Sequence, residues 1–237
     1  MLELSNVSVT LGETLALRDI SLRADERRIG IVGRNGSGKT TLARIIAGLQ
    51  APDTGSARID GRDMARDRKA ALRSVGILFQ NPDHQIIFPT VSEEIAFGLT
   101  QLGQSKPDAA AQTAAILAQF GKAHWADAPT HGLSQGQKQL VCLMAVLAMR
   151  PRLILLDEPF SGLDIPTRMQ LSRAFDQAEA RLIQITHDPG SVRDYERIIW
   201  IDDGTLRADG PPGAVLPAFE AQMRDWGGCD DLSDLAG

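Results

Sequence analysis

Apolar residues alternate with polar ones over the first part of the chain: Leu2, Leu4, Val7, Val9 and Leu11, then Leu15, Leu17, Ile20 and Leu22. Gly12-Glu13 interrupts them, which predicts two antiparallel strands joined by a hairpin, each with one face on a core. Short continuous apolar runs at 28–32, 75–79, 153–156, 182–185 and 198–201 read as buried strands. Helical spacing predicts helices over 39–47, closed at Gly48, and over 165–181, and a last helix opened by the 210–212 segment. Pro52-Asp53-Thr54-Gly55 reads as a turn before a strand at 56–60 stopped by Gly61, and Asp202-Asp203-Gly204-Thr205 as a hairpin turn. Between 91 and 149 the periodicity is helical throughout. Residues 99–107 are expected to form a loop rather than core, 109–120 an alanine-rich helix, and 135–150 a long helix ended by Pro151.

Strands that alternate with helices make the fold α/β with a mostly parallel sheet. Residues 1–27 and 55–63 would form a small antiparallel subdomain, 1–81 with 150–215 the core, and 82–149 a helical subdomain. Residues 216–237 would be a short helix and tail, polar from Trp226 onward.

Composition narrows the function classes. Hydrophobic residues at 43% and charged residues at 23% are those of an ordinary globular chain of 237 residues. A net charge of −5 argues against a nucleic-acid platform. Two distant cysteines, Cys142 and Cys229, lack metal-ligand spacing and predict a reducing cytoplasm, with Cys142 in the core. The opening Met1-Leu2-Glu3-Leu4 has no signal-sequence pattern. The longest apolar run, 140–149, is about half of the ~20 residues a bilayer span needs. The chain is expected not to cross a membrane, while remaining free to bind a protein that does.

The first chemistry-bearing motif is Gly33-Arg34-Asn35-Gly36-Ser37-Gly38-Lys39-Thr40, followed by Thr41. It lies after a predicted strand and opens a predicted helix, the context of a phosphate-binding loop. Glycines let backbone N–H groups turn inward, and the helix start adds partial positive charge. Lys39 is expected to reach the β- and γ-phosphates of ATP, and the Thr40 hydroxyl to ligate Mg2+. Asp157 and Glu158 end another strand. Asp157 suits a carboxylate that holds magnesium, and Glu158 one that polarises an attacking water.

Through these motifs the chain resembles the ATP-binding-cassette (ABC) ATPases over about residues 2–215. Leu133-Ser134-Gln135-Gly136-Gln137 is similar to that family's signature loop. Gln80 matches its Q-loop, Ser161-Gly162-Leu163-Asp164 its D-loop, and His187 its switch histidine. The resemblance implies two cassettes closed head-to-tail around two nucleotides. Ser134 and Gly136 of one copy would face the ATP of the other, and Asp164 would contact the partner. Gln80 would coordinate magnesium, and His187 would hydrogen-bond the γ-phosphate. His84, His124 and His131 are expected at the surface or in loops. The chain departs from the family at Leu11, where an aromatic residue usually stacks on adenine, and at Gln135, which replaces the first signature glycine.

The segment from Gln80-Asn81-Pro82-Asp83-His84-Gln85-Ile86 through Thr90-Val91-Ser92-Glu93-Glu94-Ile95-Ala96-Phe97-Gly98 is similar to that of energy-coupling-factor (ECF) transporter ATPases. Such ATPases drive an integral membrane T component that carries a substrate-binding S component, importing vitamins or cobalt and nickel ions. Glu93 and Glu94 either pair with basic residues of the T component or simply charge a helix N-terminus. The resemblance implies a peripheral subunit on the cytoplasmic face of the cell membrane. A homodimer is favoured over pairing with a paralogous subunit. Glu26-Arg27-Arg28-Ile29-Gly30 and the short C-terminus lean towards biotin, with cobalt or nickel close behind. The alternative is the ATPase of a conventional ABC importer or exporter. A chromosome-maintenance ABC ATPase would need a long coiled-coil insertion, and a translation ABC protein two cassettes in one chain.

Overall fold

A computed structural model describes residues 1–227. The elements begin with β1 (Leu2–Leu11), β2 (Thr14–Ala24), β3 (Arg28–Val32), α1 (Lys39–Ile46), β4 (Thr54–Ile59) and β5 (Arg62–Asp63). They continue with α2 (Arg68–Ser74), β6 (Val75–Leu78), α3 (Val91–Gln101), α4 (Lys106–Gln119), α5 (Gln135–Ala148), β7 (Leu153–Asp157) and α6 (Ile165–Gln177). β8 (Arg181–Thr186), β9 (Arg197–Asp202), β10 (Thr205–Gly210) and α7 (Pro212–Gly227) close the described chain. Two units are distinguished, residues 1–68 with those from 183 onward, and residues 69–182.

In the first unit β1 and β2 pair antiparallel, and the sheet continues through β4 to β5. The buried apolar set changes phase within each strand, from Leu2 and Leu4 to Val7 and Val9, and from Leu17 to Ile20 and Leu22. A one-residue shift would normally turn every later side chain to the other face. Here each strand carries a left-handed residue at the change, Asn6 (φ 50°) and Asp19 (φ 47°), whose side chains hydrogen-bond at 2.8 Å. These bulges return the apolar residues to one face, and Asn and Asp tolerate that backbone conformation best among non-glycine residues.

β3 runs parallel to β9, which pairs antiparallel with β10 through the Asp203-Gly204 turn. On this face α7 buries Val215, Leu216 and Phe219 against Val192, Ile198 and Trp200, with the Phe219 ring edge-on to Trp200 at 5.5 Å. Arg197 binds Asp209 bidentately through Nε and Nη2 (2.6 and 2.7 Å) and donates to Glu26 from Nη1 at 3.0 Å. Burial pushes the Glu26 carboxyl up. Backbone N–H groups of Glu26 and Asp25 and the Arg197 cation outweigh it, so the group titrates below the usual range. The 26–30 segment therefore takes part in folding.

The second unit pairs β6 with β7 in parallel. Val91, Ile95 and Leu99 of α3, Ile116 and Leu117 of α4 and Leu140 to Met144 of α5 fill its core. Cys142 lies there fully buried; desolvation raises its thiol pKa to about 12, so it is chemically inert. Cys229 lies outside the described residues. No helix among the described residues is long and apolar enough to cross a membrane.

Most strands fall where the sequence places them, and several boundaries move. Residues 99–107 are not one loop: α3 continues to Gln101 with Leu99 buried, and α4 starts at Lys106. Ser105 caps α4 through the Asp108 N–H, and Pro107 in the first turn begins a helix rather than breaking one. α5 stops at Ala148, before Arg150 turns left-handed (φ 50°). α6 stops at Gln177, because Ala178 is extended and buries its methyl group. β4 starts at Thr54 within the expected turn, and α2 was not foreseen. Trp226 belongs to α7 rather than to a tail; the rest of that predicted tail, 228–237, lies outside the described residues. Since Leu99 is wholly enclosed, Leu99→Ala should lower the unfolding free energy by about 2–5 kcal/mol. A loop position would change it by at most ~0.5 kcal/mol, and urea denaturation distinguishes the two.

Candidate nucleotide site and signature surface

The phosphate loop starts where β3 ends. Gly38, the N-cap of α1, has φ 100°, and a Cβ there would lie 2.6 Å from the Ala16 carbonyl oxygen, so only glycine fits. Lys39 is 7% exposed, and its Nζ donates to the carbonyls of Gly33 (2.8 Å) and Arg34 (2.6 Å). The Ser37 N–H also donates to the Arg34 carbonyl, at 3.2 Å, which curls the loop around the lysine. The Ser37 hydroxyl is buried beside Gly33 with no hydrogen-bond partner among the described residues. A buried hydroxyl of this kind costs free energy unless an acceptor meets it. An N-terminal helix turn, a cation and an unmatched donor fit a phosphate group. Asn35, Gly36 and Thr40 are exposed, whereas Thr41 is buried under the helix.

Two further residues of this unit were expected at a nucleotide. Leu11 is 43% exposed at the tip of the first hairpin, where its apolar face is open to a flat ligand. His187 is exposed directly after β8, and the Asp188 N–H donates to the buried Thr186 Oγ1 at 3.0 Å, which fixes the turn.

The second unit holds the other motifs. Asp157 ends β7, and Glu158 follows with a left-handed backbone (φ 47°). For a non-glycine residue that conformation costs on the order of 1 kcal/mol, and it turns the chain sharply after the strand. Ser161 closes the turn, its N–H donating to the Glu158 carbonyl at 3.1 Å. Gln80 is exposed, and its side-chain amide reaches Ser161 Oγ at 3.5 Å. Ser134 caps α5 in a reciprocal box: its oxygen accepts from the Gln137 N–H (3.3 Å), while its own N–H donates to Gln137 Oε1 (2.8 Å). The hydroxyl hydrogen is left for an acceptor outside the helix. Asp164 caps α6 by accepting from the Thr167 N–H at 2.9 Å, and hydrogen bonds from Thr167 hold its carboxyl below the usual range.

The structure thus joins the Q-loop, D-loop and signature loop of one copy into a single cluster, linked by Ser161 of the D-loop and by Thr167, which the sequence did not single out. Gln135, the departure from the signature pattern, lies beside Gly162 of the D-loop, with its amide 3.5 Å from where a Cβ would stand. A Cβ on Gly136 would approach Thr167 Cγ2 to 2.8 Å, so the helices α5 and α6 touch at their first turns. His84, His124 and His131 are exposed, as expected.

The segment after Gln80 uses both acidic residues in its own folding. Glu94 is 7% exposed and accepts from the Ile87 and Phe88 N–H groups, each at 2.9 Å. Glu93 accepts from the Thr90 hydroxyl at 2.6 Å, while Thr90 caps α3. Glu94 is thereby withdrawn from any partner, whereas Glu93 stays exposed at the helix start. Two large apolar residues also face outward: Ile87 is 66% exposed, and Phe97, 36% exposed, packs its ring 4.9 Å from that of Phe88.

The sequence profile of the family described as ABC transporter matches residues 17–161. The chain belongs to the ABC transporter ATPases. This ABC ATPase is 48% identical to the biotin transport ATP-binding protein BioM of Rhodobacter capsulatus, over 94% of this chain and 95% of the relative. It is 35% identical to the energy-coupling factor transporter ATP-binding protein EcfA1 of Lactobacillus delbrueckii, over 88% of this chain and 77% of the relative. It also matches a solved ATP-binding cassette dimer in a post-hydrolysis state bound to ADP and Pi, with a TM-score of 0.78 and 27% identity over 90% of this chain and 99% of that one. The cassette binds and hydrolyses ATP.

Contact between the first turns of α5 and α6 makes a paired test possible. Gly136→Ala should destabilise the ABC ATPase by about 1–3 kcal/mol through overpacking. In a Thr167→Ala background the same change should be neutral or stabilising, because alanine is the better helix residue. Thermal unfolding of the four proteins measures the difference.

Proposed function

We propose that this ABC ATPase is the energy-coupling subunit of an ECF-type importer for biotin. It works as a head-to-tail dimer on the cytoplasmic face of the membrane, bound to an integral T component that carries a substrate-binding S component. The observation that carries the substrate is the 48% identity with a biotin transport ATP-binding protein over nearly the full length of both chains. The membrane partner is supported by the exposed apolar pair Ile87 and Phe97, which stand in the segment that resembles ECF ATPases.

ATP binds at residues 33–41, where Lys39 exchanges its loop carbonyls for phosphate oxygens and Ser37 gains the acceptor it lacks. Thr40, Gln80 and Asp157 offer the hard oxygen ligands that magnesium takes, and the ion would neutralise phosphate charge there. Glu158 accepts a proton from the attacking water, and His187 orients that water by donating to the γ-phosphate. Ser134 and Gly136 of the second copy donate to the same nucleotide, and Asp164 meets the partner across the dimer. Leu11 packs on the adenine without ring stacking. Contacts present only in the closed dimer drive closure, and reopening after hydrolysis moves the membrane subunits.

Glu158→Gln keeps the geometry and removes the base. It should retain ATP binding, accumulate the closed dimer and lose at least about 100-fold in kcat; near-normal turnover would sink the assignment. For the membrane partner, Phe97→Asp with Ile87→Asp should abolish copurification with the T component while the isolated subunit hydrolyses ATP normally. Uptake assays with the neighbouring membrane subunits, comparing labelled biotin with cobalt, decide the substrate.

A further inference from the structure

The phosphate loop has a support that neither the motifs nor the family resemblance assigns. Trp226, in the last turn of α7, lies with its ring 4.5 Å from the Arg34 guanidinium carbon. Arg34 is the second residue of the loop, and both side chains are half-buried. A guanidinium at this distance over an indole is held by attraction to the ring face. The backbone of the same residue does separate work: the Arg34 carbonyl accepts from Lys39 Nζ at 2.6 Å and from the Ser37 N–H at 3.2 Å. Trp226 therefore grips the side chain of the residue whose peptide orients the phosphate-binding lysine.

The helix that presents Trp226 is itself anchored. Phe219 meets Trp200 edge-on at 5.5 Å, and Trp200 pairs in register with Val32, the residue just before the loop. α7 thus reaches the phosphate loop at two points, beneath it through Phe219 and Trp200 and at its outer edge through Trp226.

We propose that Trp226 is a positioning residue for ATP: through Arg34 it holds the phosphate loop in the shape that presents Lys39. Loss of the contact should weaken nucleotide binding and leave the chemical step largely intact, since Trp226 touches no reacting group. The inference rests on nucleotide binding at residues 33–41.

Five proteins are compared by equilibrium ATP binding and steady-state hydrolysis: the wild type, Trp226→Leu, Trp226→Phe, Arg34→Ala, and Arg34→Ala with Trp226→Leu. Trp226→Leu should raise the Kd and KM for ATP by about three- to tenfold, with kcat within about twofold. Trp226→Phe, which restores a ring face, should recover most of the affinity. The double variant should bind no worse than Arg34→Ala alone. Equal losses for Leu and Phe, strictly additive losses, or unchanged affinity in Trp226→Leu would each overturn the proposal. A second readout is spectroscopic. ATP should change the intrinsic fluorescence of the wild type and of Trp125→Phe, and this change should vanish in Trp226→Phe; its persistence there would count against the contact. A wild type that binds no ATP would instead overturn the nucleotide site itself.

Discussion

A buried ammonium group is the constraint on which the catalytic half of this molecule depends. Lys39 is almost fully enclosed, and an enclosed cation must be met by oxygen atoms or lose its charge. The carbonyls of Gly33 and Arg34 meet it from within the same turn. That arrangement requires a loop tight enough to fold over its own helix start, hence a left-handed glycine at 38. It also requires a rigid base, supplied by β3 in parallel register with β9. The loop carbonyls are neutral acceptors, and anionic phosphate oxygens bind an ammonium group more strongly than such carbonyls do.

In the second unit short-range polar bonds play the corresponding part. Ser134 and Asp164 each cap a helix, and in the proposed dimer each also presents a group to the other copy. A serine oxygen that accepts from its own helix has a fixed position, and its hydrogen remains available. The Asp164 carboxylate, stabilised by Thr167, keeps its charge down to lower pH than an ordinary aspartate. Capping and recognition are thus performed by different atoms of the same side chain.

Much of this was readable in the sequence, for physical reasons that differ by element. The phosphate loop, β7 with its carboxylates and the β9–β10 hairpin declare themselves because local chemistry decides them: glycine, a charged strand end, an Asp-Gly turn. The 99–107 stretch misled because glycine and proline near a helix boundary look like a loop, whereas Gly103 merely ends one helix and Pro107 starts the next. Glu94 could not be placed from sequence. Its periodicity is compatible with either face of α3, and only the chain fold at Ile87 and Phe88 supplies two inward N–H donors. The Arg34–Trp226 contact joins residues nearly two hundred positions apart in the chain and has no local signature at all.

Glu94 also separates two evolutionary pressures. The carboxylate ties down the backbone of residues 87 and 88 from the inside, so the shape of that surface does not depend on which side chains project from its outside. In the proposed assembly, Ile87 and Phe97 could then vary to suit a different membrane subunit without loss of the Glu94 contacts. On that proposal, an ATPase built in this way could be refitted to another transporter through a few outward residues, while its fuel site stays as it is.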